Sequence, residues 1–124
     1  MAGHIYADAT RINGCVTYFF GVYVAGNATL TYDLAVAEDA NQGNFHKVEA
    51  GLSHHNSGSY LAVMDGLWVS RGTGVTNLAN LYYNGTGNMG SFSFSKTNAT
   101  TVRIHKSAGT YSGPGYGFVR LTSV

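Results

Sequence analysis

A glycine hexad, five histidines, six carboxylates and one cysteine are the residues of this 124-residue chain that could do chemistry. The hexad, Gly85-Thr86-Gly87-Asn88-Met89-Gly90, matches the G-x-G-x-x-G spacing of dinucleotide-binding loops. Such a loop works only between a strand and a helix whose N-terminus holds the pyrophosphate, with an acid about 20 residues further on. Here SFSFS follows, which is a strand pattern, and no Asp or Glu occurs after Asp65. The hexad therefore reads as a glycine-rich turn.

His54 and His55 are adjacent, so in a strand they point to opposite faces and cannot chelate together. His4, His46 and His105 lack the i, i+2 or i, i+4 partners of a metal site. Solvated or hydrogen-bonded imidazoles are expected, with a site assembled across strands as the alternative. The acids are Asp8, Asp33, Glu38, Asp39, Glu49 and Asp65. A glycosidase needs two of them facing each other across a cleft, and spacing brings no two together. Asp65 reads as part of an Asp-Gly turn, and Glu38-Asp39 as a solvated loop. Cys15 has no disulfide partner and reads as a small buried hydrophobe, since a reactive thiolate needs a basic neighbour. No nucleophile elbow, Walker loop or Cys-His arrangement is present. The expectation is a protein that is not an enzyme and takes no cofactor and no metal.

Composition narrows the classes further. Charged residues make up 10% and the formal net charge is +1. Seven Lys and Arg cannot build the basic patch that nucleic acid or anionic lipid requires. With 44% hydrophobic and 13% aromatic residues the chain repays its ordering entropy and is expected to fold, as one domain over 1–124. The start, Met1-Ala2-Gly3-His4, carries no apolar signal region, and the longest apolar runs are too short and β-like to cross a bilayer. Synthesis in a reducing cytoplasm, without membrane insertion, is expected. Three Asn-x-Thr triplets begin at Asn27, Asn84 and Asn98; chance in an Asn- and Thr-rich chain explains them better than glycosylation.

The elements that must position these residues are strands. In ATLTYDLAVA (28–37), Leu30, Tyr32, Leu34 and Val36 alternate with Thr29, Thr31 and Asp33, the period of a half-buried strand. Strands are expected at about 4–10, 15–24, 28–37, 45–54, 59–64, 67–71, 78–83, 91–96, 101–106 and 116–123. The stretch 36–43 is a helical turn or a loop. Asn13-Gly14, Asp65-Gly66 and Asn84-Gly85 supply the positive φ of tight hairpin turns. Many short strands in one domain predict an antiparallel β-sandwich, with a jelly roll as its expected form.

The strand at 15–24 departs from the usual pattern. Val16, Tyr18, Phe20, Val22 and Val24 form one face, while Cys15, Thr17, Phe19 and Tyr23 form most of the other. An antiparallel sandwich usually leaves one face of each sheet polar. The run SYLAVMDGLWVS at 59–70 is similarly rich. So much apolar surface predicts a homo-oligomer joined through a sheet face, with Tyr18, Phe19, Phe20, Tyr23 and Trp68 as candidate interface residues. The rings could instead stack on sugars; for Trp68 core or interface outweighs a ligand platform.

The segment VRIHKSAGTYSGPGYGFVRL at 102–121 holds the single proline, Pro114, and two tyrosines in a glycine-rich stretch, Tyr111 and Tyr116. Pro114 removes a donor and the glycines permit sharp reversals, so 107–117 reads as a connection between two strands. Tyr111, Pro114 and Tyr116 form a candidate binding loop, for a protein surface ahead of a sugar. This segment resembles the closing segment of small β-structured virion proteins of tailed bacteriophages, in which a strand, a Gly/Tyr/Ser loop and a final strand with an aromatic and an arginine end the chain. The resemblance implies a trimeric jelly roll located in the virion and made in the host cytoplasm. Its partners would be capsid or tail proteins. It further implies either a capsid decoration (cement) protein or the receptor-binding head of a tail fibre, the latter with a host surface glycan as ligand. No stalk precedes the first strand, which favours the decoration protein; a natural start upstream of Met1 would restore the fibre head. A free microbial lectin module is a further alternative.

Overall fold

The computed structural model describes residues 10–12, 15–37, 44–54, 57–85 and 87–124, with backbone alone at 10–12, 57–59 and 82–85. The elements are strands: β1 (Thr10–Ile12), β2 (Cys15–Ala25), β3 (Leu30–Ala35), β4 (Asn44–His54), β5 (Ser57–Arg71), β6 (Gly74–Gly85), β7 (Phe92–Asn98), β8 (Thr101–Lys106) and β9 (Pro114–Ser123). They form a six-stranded sheet in the order β1-β2-β9-β4-β5-β6 and a three-stranded sheet in the order β3-β8-β7. Every pairing is antiparallel. The chain crosses between sheets four times: after β2, β3, β6 and β8. The order β9-β4-β5-β6 is that of a Greek key whose returning strand travels through the second sheet.

The two sheets pack face to face, as the alternation requires. Val16, Tyr18, Phe20 and Val22 of β2, Val48, Ala50 and Leu52 of β4, Ala62, Met64 and Trp68 of β5, and Val119 and Leu121 of β9 line the inner face of the large sheet. Leu34, Phe92, Val102 and Ile104 meet them from the small sheet. Rings carry much of the contact: Phe20 stacks on Tyr32 at 4.6 Å, and Trp68 lies 4.9 Å from Phe94. Tyr18 reaches across the sandwich, and its hydroxyl donates to the Ala35 carbonyl at 2.7 Å. A buried phenol in a sandwich needs such an acceptor, because an unpaired hydroxyl there costs more than the bond itself is worth.

Several expectations from the sequence need correction. Asp65-Gly66 is no turn: the expected strands 59–64 and 67–71 are one 15-residue strand, β5. A Cβ on Gly66 would lie 2.6 Å from the Trp68 indole, so this glycine makes room for the ring two residues on. Asn84-Gly85 is no turn either, since both residues pair with β5, opposite Val63 and Ala62. The reversal between β5 and β6 falls instead at Gly72-Thr73, between the paired Arg71 and Gly74, with Gly72 at φ 59°. Asn13 and Gly14 lie outside the described residues. The expected strand 4–10 lies outside them except for Thr10, as does 38–43; Val36 and Ala37 are not helical. Asn98 makes a turn of its own, its side-chain carbonyl accepting from the Thr100 amide at 2.9 Å.

The connection at 107–113 is no loose loop. The Gly109 amide donates to Gly26 O at 2.7 Å, Thr110 to Gly87 O at 3.0 Å, Tyr111 to Asn88 O at 2.9 Å, and Gly26 to Gly113 O at 3.0 Å. Three connections at one end of the sandwich are thereby sewn together by main chain. Gly90, at φ 77° and pressed against Ser107, can hold its place only without a Cβ. The turn expected from the hexad falls on its last four residues, 87–90, since Gly85 ends β6, and a strand follows it.

Candidate functional site

The outer faces of the two sheets differ sharply. On the small sheet the outward residues of β3, β8 and β7 are Thr31, Asp33, Ala35, Thr101, Arg103, His105, Ser93, Ser95 and Thr97, polar except for Ala35. Arg103 grips Asp33 with two bonds of 2.8 and 3.0 Å, and Thr31 bonds the His105 ring at 2.9 Å. The Arg103 hydrogen bond holds the Asp33 carboxyl below its ordinary value. This face is arranged for water.

On the large sheet the register lays out successive rows across β2, β9, β4 and β5. The first row is Tyr23, Tyr116, Ser53 and Leu61; the second is Gly21, Phe118, Gly51 and Val63. The third is Phe19, Arg120, Glu49 and Asp65, and the fourth is Thr17, Thr122, Lys47 and Leu67. Beyond it Phe45, 49% exposed, lies opposite Val69. Tyr23 is 70% exposed, Tyr116 44%, Phe19 40% and Phe118 37%. Their rings interact across strands, Tyr23 with Tyr116 at 4.9 Å and Phe19 with Phe118 at 6.1 Å. Partial desolvation, followed by the adjacent Tyr23 phenol, raises Tyr116 above the ordinary tyrosine value.

Relief on this face comes from its glycines. Phe118 lies between Gly21 and Gly51 of the neighbouring strands. A Cβ on Gly51 would meet the Phe118 ring at 3.2 Å, whereas one on Gly21 would meet nothing within 4 Å. Tyr116 and Phe118 therefore stand as a ridge. Beside it an open hollow of about 280 Å³ has Gly51 in its floor and Leu61, Val63 and Ser53 along its far side. Charges close the patch at the third and fourth rows: Arg120 lies over Phe19 at 5.4 Å and 3.4 Å from Glu49, and Lys47 holds Asp65 at 2.6 Å. An apolar centre with a charged border is the anatomy of a protein-binding surface.

The residues singled out in the sequence divide accordingly. Phe19 and Tyr23 come together on this face. Tyr18, Phe20 and Trp68 point inward and belong to the core, because odd and even positions of a strand take opposite sides. Pro114 and Tyr116 are not in a loop: β9 begins at Pro114, and Tyr116 sits opposite Tyr23. Tyr111 is in the connection but packs edge-on against His54 at 4.8 Å and Tyr60 at 5.0 Å, so it braces the end of the sandwich. Phe118, Gly21 and Gly51 escaped the sequence reading, whereas Leu61 and Val63 lie in the apolar run 59–70 that it marked. Phe118 was legible as the outward neighbour of Val119, but the hollow depends on which strands adjoin β9.

Two polar groups lie inside the sandwich. His46 is fully buried, with Nδ1 2.7 Å from the Ser123 hydroxyl and Nε2 2.7 Å from that of Ser70. Lys106, on the inward side of β8, donates to the carbonyls of Gly26 and Ala28 at 2.6 Å and of Ala25 at 3.3 Å. Both stitch separate strands and turns together. Among the described residues no group of three or more His, Cys, Asp and Glu could hold a metal ion. No helix of the described residues is long and apolar enough to cross a membrane.

No protein-family model matches the chain, and no curated protein matches it by sequence. Among solved structures the chain is similar to the tailspike protein of the Acinetobacter phage vB_ApiP_P1, with a TM-score of 0.40 and 17% identity. The overlap covers 86% of this chain and 21% of the tailspike chain, so this chain spans about a fifth of that protein's length. A superposition of that quality is too loose to define a shared fold.

Proposed function

We propose that this protein is a non-enzymatic structural component of a bacteriophage virion that works by self-association through the outer face of its large sheet. The observation that carries this reading is the cluster of Phe19, Tyr23, Tyr116 and Phe118 on a face that a solvated sandwich would fill with polar residues. The virion assignment rests on the resemblance of residues 102–121 to the closing segment of phage decoration proteins and fibre heads. In this reading the fold is a jelly-roll variant: β2 with β9 and β3 with β8 give its end-wrapping pairs, while β4, β5 and β6 run as a meander. A trimer on the capsid exterior, stabilising or decorating the particle, is the proposed assembly. Light scattering at micromolar concentration tests self-association; a species of 13.1 kDa throughout would contradict it. Gene neighbourhood tests the virion part, since capsid or tail genes alongside support it and a metabolic operon opposes it.

A second reading, a receptor-binding head or carbohydrate-binding module, draws on the exposed Tyr23–Tyr116 pair beside Ser53. Sugar rings stack on such phenols. Binding on a broad glycan array that is lost in Tyr23→Ala would establish it, and an empty array would remove it.

A further inference from the structure

The large sheet carries a second apolar feature, at its edge. β6 is an outermost strand, and its pairing with β5 slips twice: Trp68 pairs with Asn77 and Leu67 with Ala79, then Gly66 with Asn80 and Asp65 with Tyr82. The residues left over are Leu78 and Leu81. Both are large and apolar, and they are 49% and 60% exposed. Bulges on an edge strand break the regular ladder and discourage another strand from pairing there. That device protects the edge, yet it does not call for leucine. Two leucines projected from two bulges are suited to side-chain insertion, not to strand addition.

We propose that the occupant of the hollow beside Phe118 is the Leu78–Leu81 edge of a second copy of this chain. This rests on the reading of the aromatic face as a self-association surface, and it names the partner element. A hollow of about 280 Å³ lies at the floor of the size range of small-molecule sites and is open, which suits one or two aliphatic side chains. Among the described residues no charged one lines it, and the residues flanking the leucines, Asn77, Ala79 and Asn80, are neutral, so burying one in the other strands no charge. Two aromatic faces meeting each other explain less. That arrangement leaves both leucines in water. A contact between unlike patches is heterologous, and it generates a closed ring or an open filament according to the rotation between copies.

Heterologous contact makes a prediction that face-to-face pairing does not. One variant, Leu78→Asp with Leu81→Asp, removes the projection and keeps the hollow. Another, Val63→Asp, spoils the hollow and keeps the projection; Leu61→Asp, on the same side of the hollow, serves if Val63→Asp fails a thermal-melt check of folding. Each variant alone should run as a 13.1 kDa monomer where the unaltered chain is assembled. Mixed in equal amounts, they should form a heterodimer of twice that mass, because each pair holds one intact projection and one intact hollow. A mixture that stays monomeric overturns the proposal. So does a Leu78/Leu81 variant that assembles normally while the Val63 variant does not, an outcome that leaves the aromatic-face reading standing. If every variant assembles as the unaltered chain does, both fail.

Discussion

Tyr23 of β2 and Tyr116 of β9 stand directly opposite one another on the outward side of the large sheet, their rings 4.9 Å apart. Neither ring adds to the core, and the next strand over, β4, offers only Ser53 and Gly51 beside them. Such a pair contributes on the order of 0.2–1 kcal/mol to the sheet, too little to explain its presence through stability. Tyr23→Ser should therefore leave the melting temperature of the dissociated protomer at high dilution almost unchanged while weakening self-association. Phe20→Ala, one pleat away on the opposite side, should lower stability by about 3–5 kcal/mol. Thermal melts and light scattering on the two variants separate the two sides of one strand.

Lys106 sits between Leu30 and Phe92 in the register of the small sheet, with its ammonium against three main-chain carbonyls. Lys106→Met keeps the aliphatic stem and removes the donor; a loss of about 1–3 kcal/mol is expected. Burial holds Lys106 below its ordinary value of 10.5. The unfolded chain then binds this proton more tightly than the folded one. Stability should rise with pH between the folded and unfolded values, and this contribution should be flat below the folded one. Urea unfolding across the alkaline range should show that slope in the parent protein and lack it in Lys106→Met.

Gly66 is held small by Trp68. Gly66→Ala pushes a methyl group into the indole and should cost about 1–3 kcal/mol through overpacking. Tryptophan fluorescence should report the displaced ring in the same variant.

The buried Ser123–His46–Ser70 chain predicts non-additivity. His46→Leu leaves two hydroxyls without their imidazole partner and should cost about 2–4 kcal/mol. Adding Ser70→Ala and Ser123→Ala removes the stranded groups, so the triple variant should recover part of that loss in a denaturant titration.

How much of this was legible in the residues follows from what each signal encodes. Alternation is local, so the two-faced strand 15–24 and the strand at 28–37 could be read directly, but with rings on both faces it could not say that Phe19 and Tyr23 point outward while Tyr18 and Phe20 point inward. Turn dipeptides are ambiguous: Asp65-Gly66 and Asn84-Gly85 have the chemistry of a hairpin, but glycine also serves where a neighbouring ring needs space. Tyr116 reads as a loop residue because the glycines around it permit sharp reversals and Pro114 removes a donor, yet Gly115 and Gly117 lie on the crowded inner side, where no Cβ fits. The hollow, and the buried partners of His46 and Lys106, depend on which strands become neighbours. That information lies in long-range pairing, to which no local pattern gives access.

The central claim is that the Phe19–Tyr23–Tyr116–Phe118 face is an assembly surface, and the mass of the particle in solution tests it most directly. Sedimentation equilibrium should give a multiple of 13.1 kDa for the unaltered chain at micromolar concentration. Phe118→Asp, folded by thermal melt, should give a single 13.1 kDa species under the same conditions. A monomeric unaltered chain, or a Phe118→Asp variant of undiminished mass, would contradict the account.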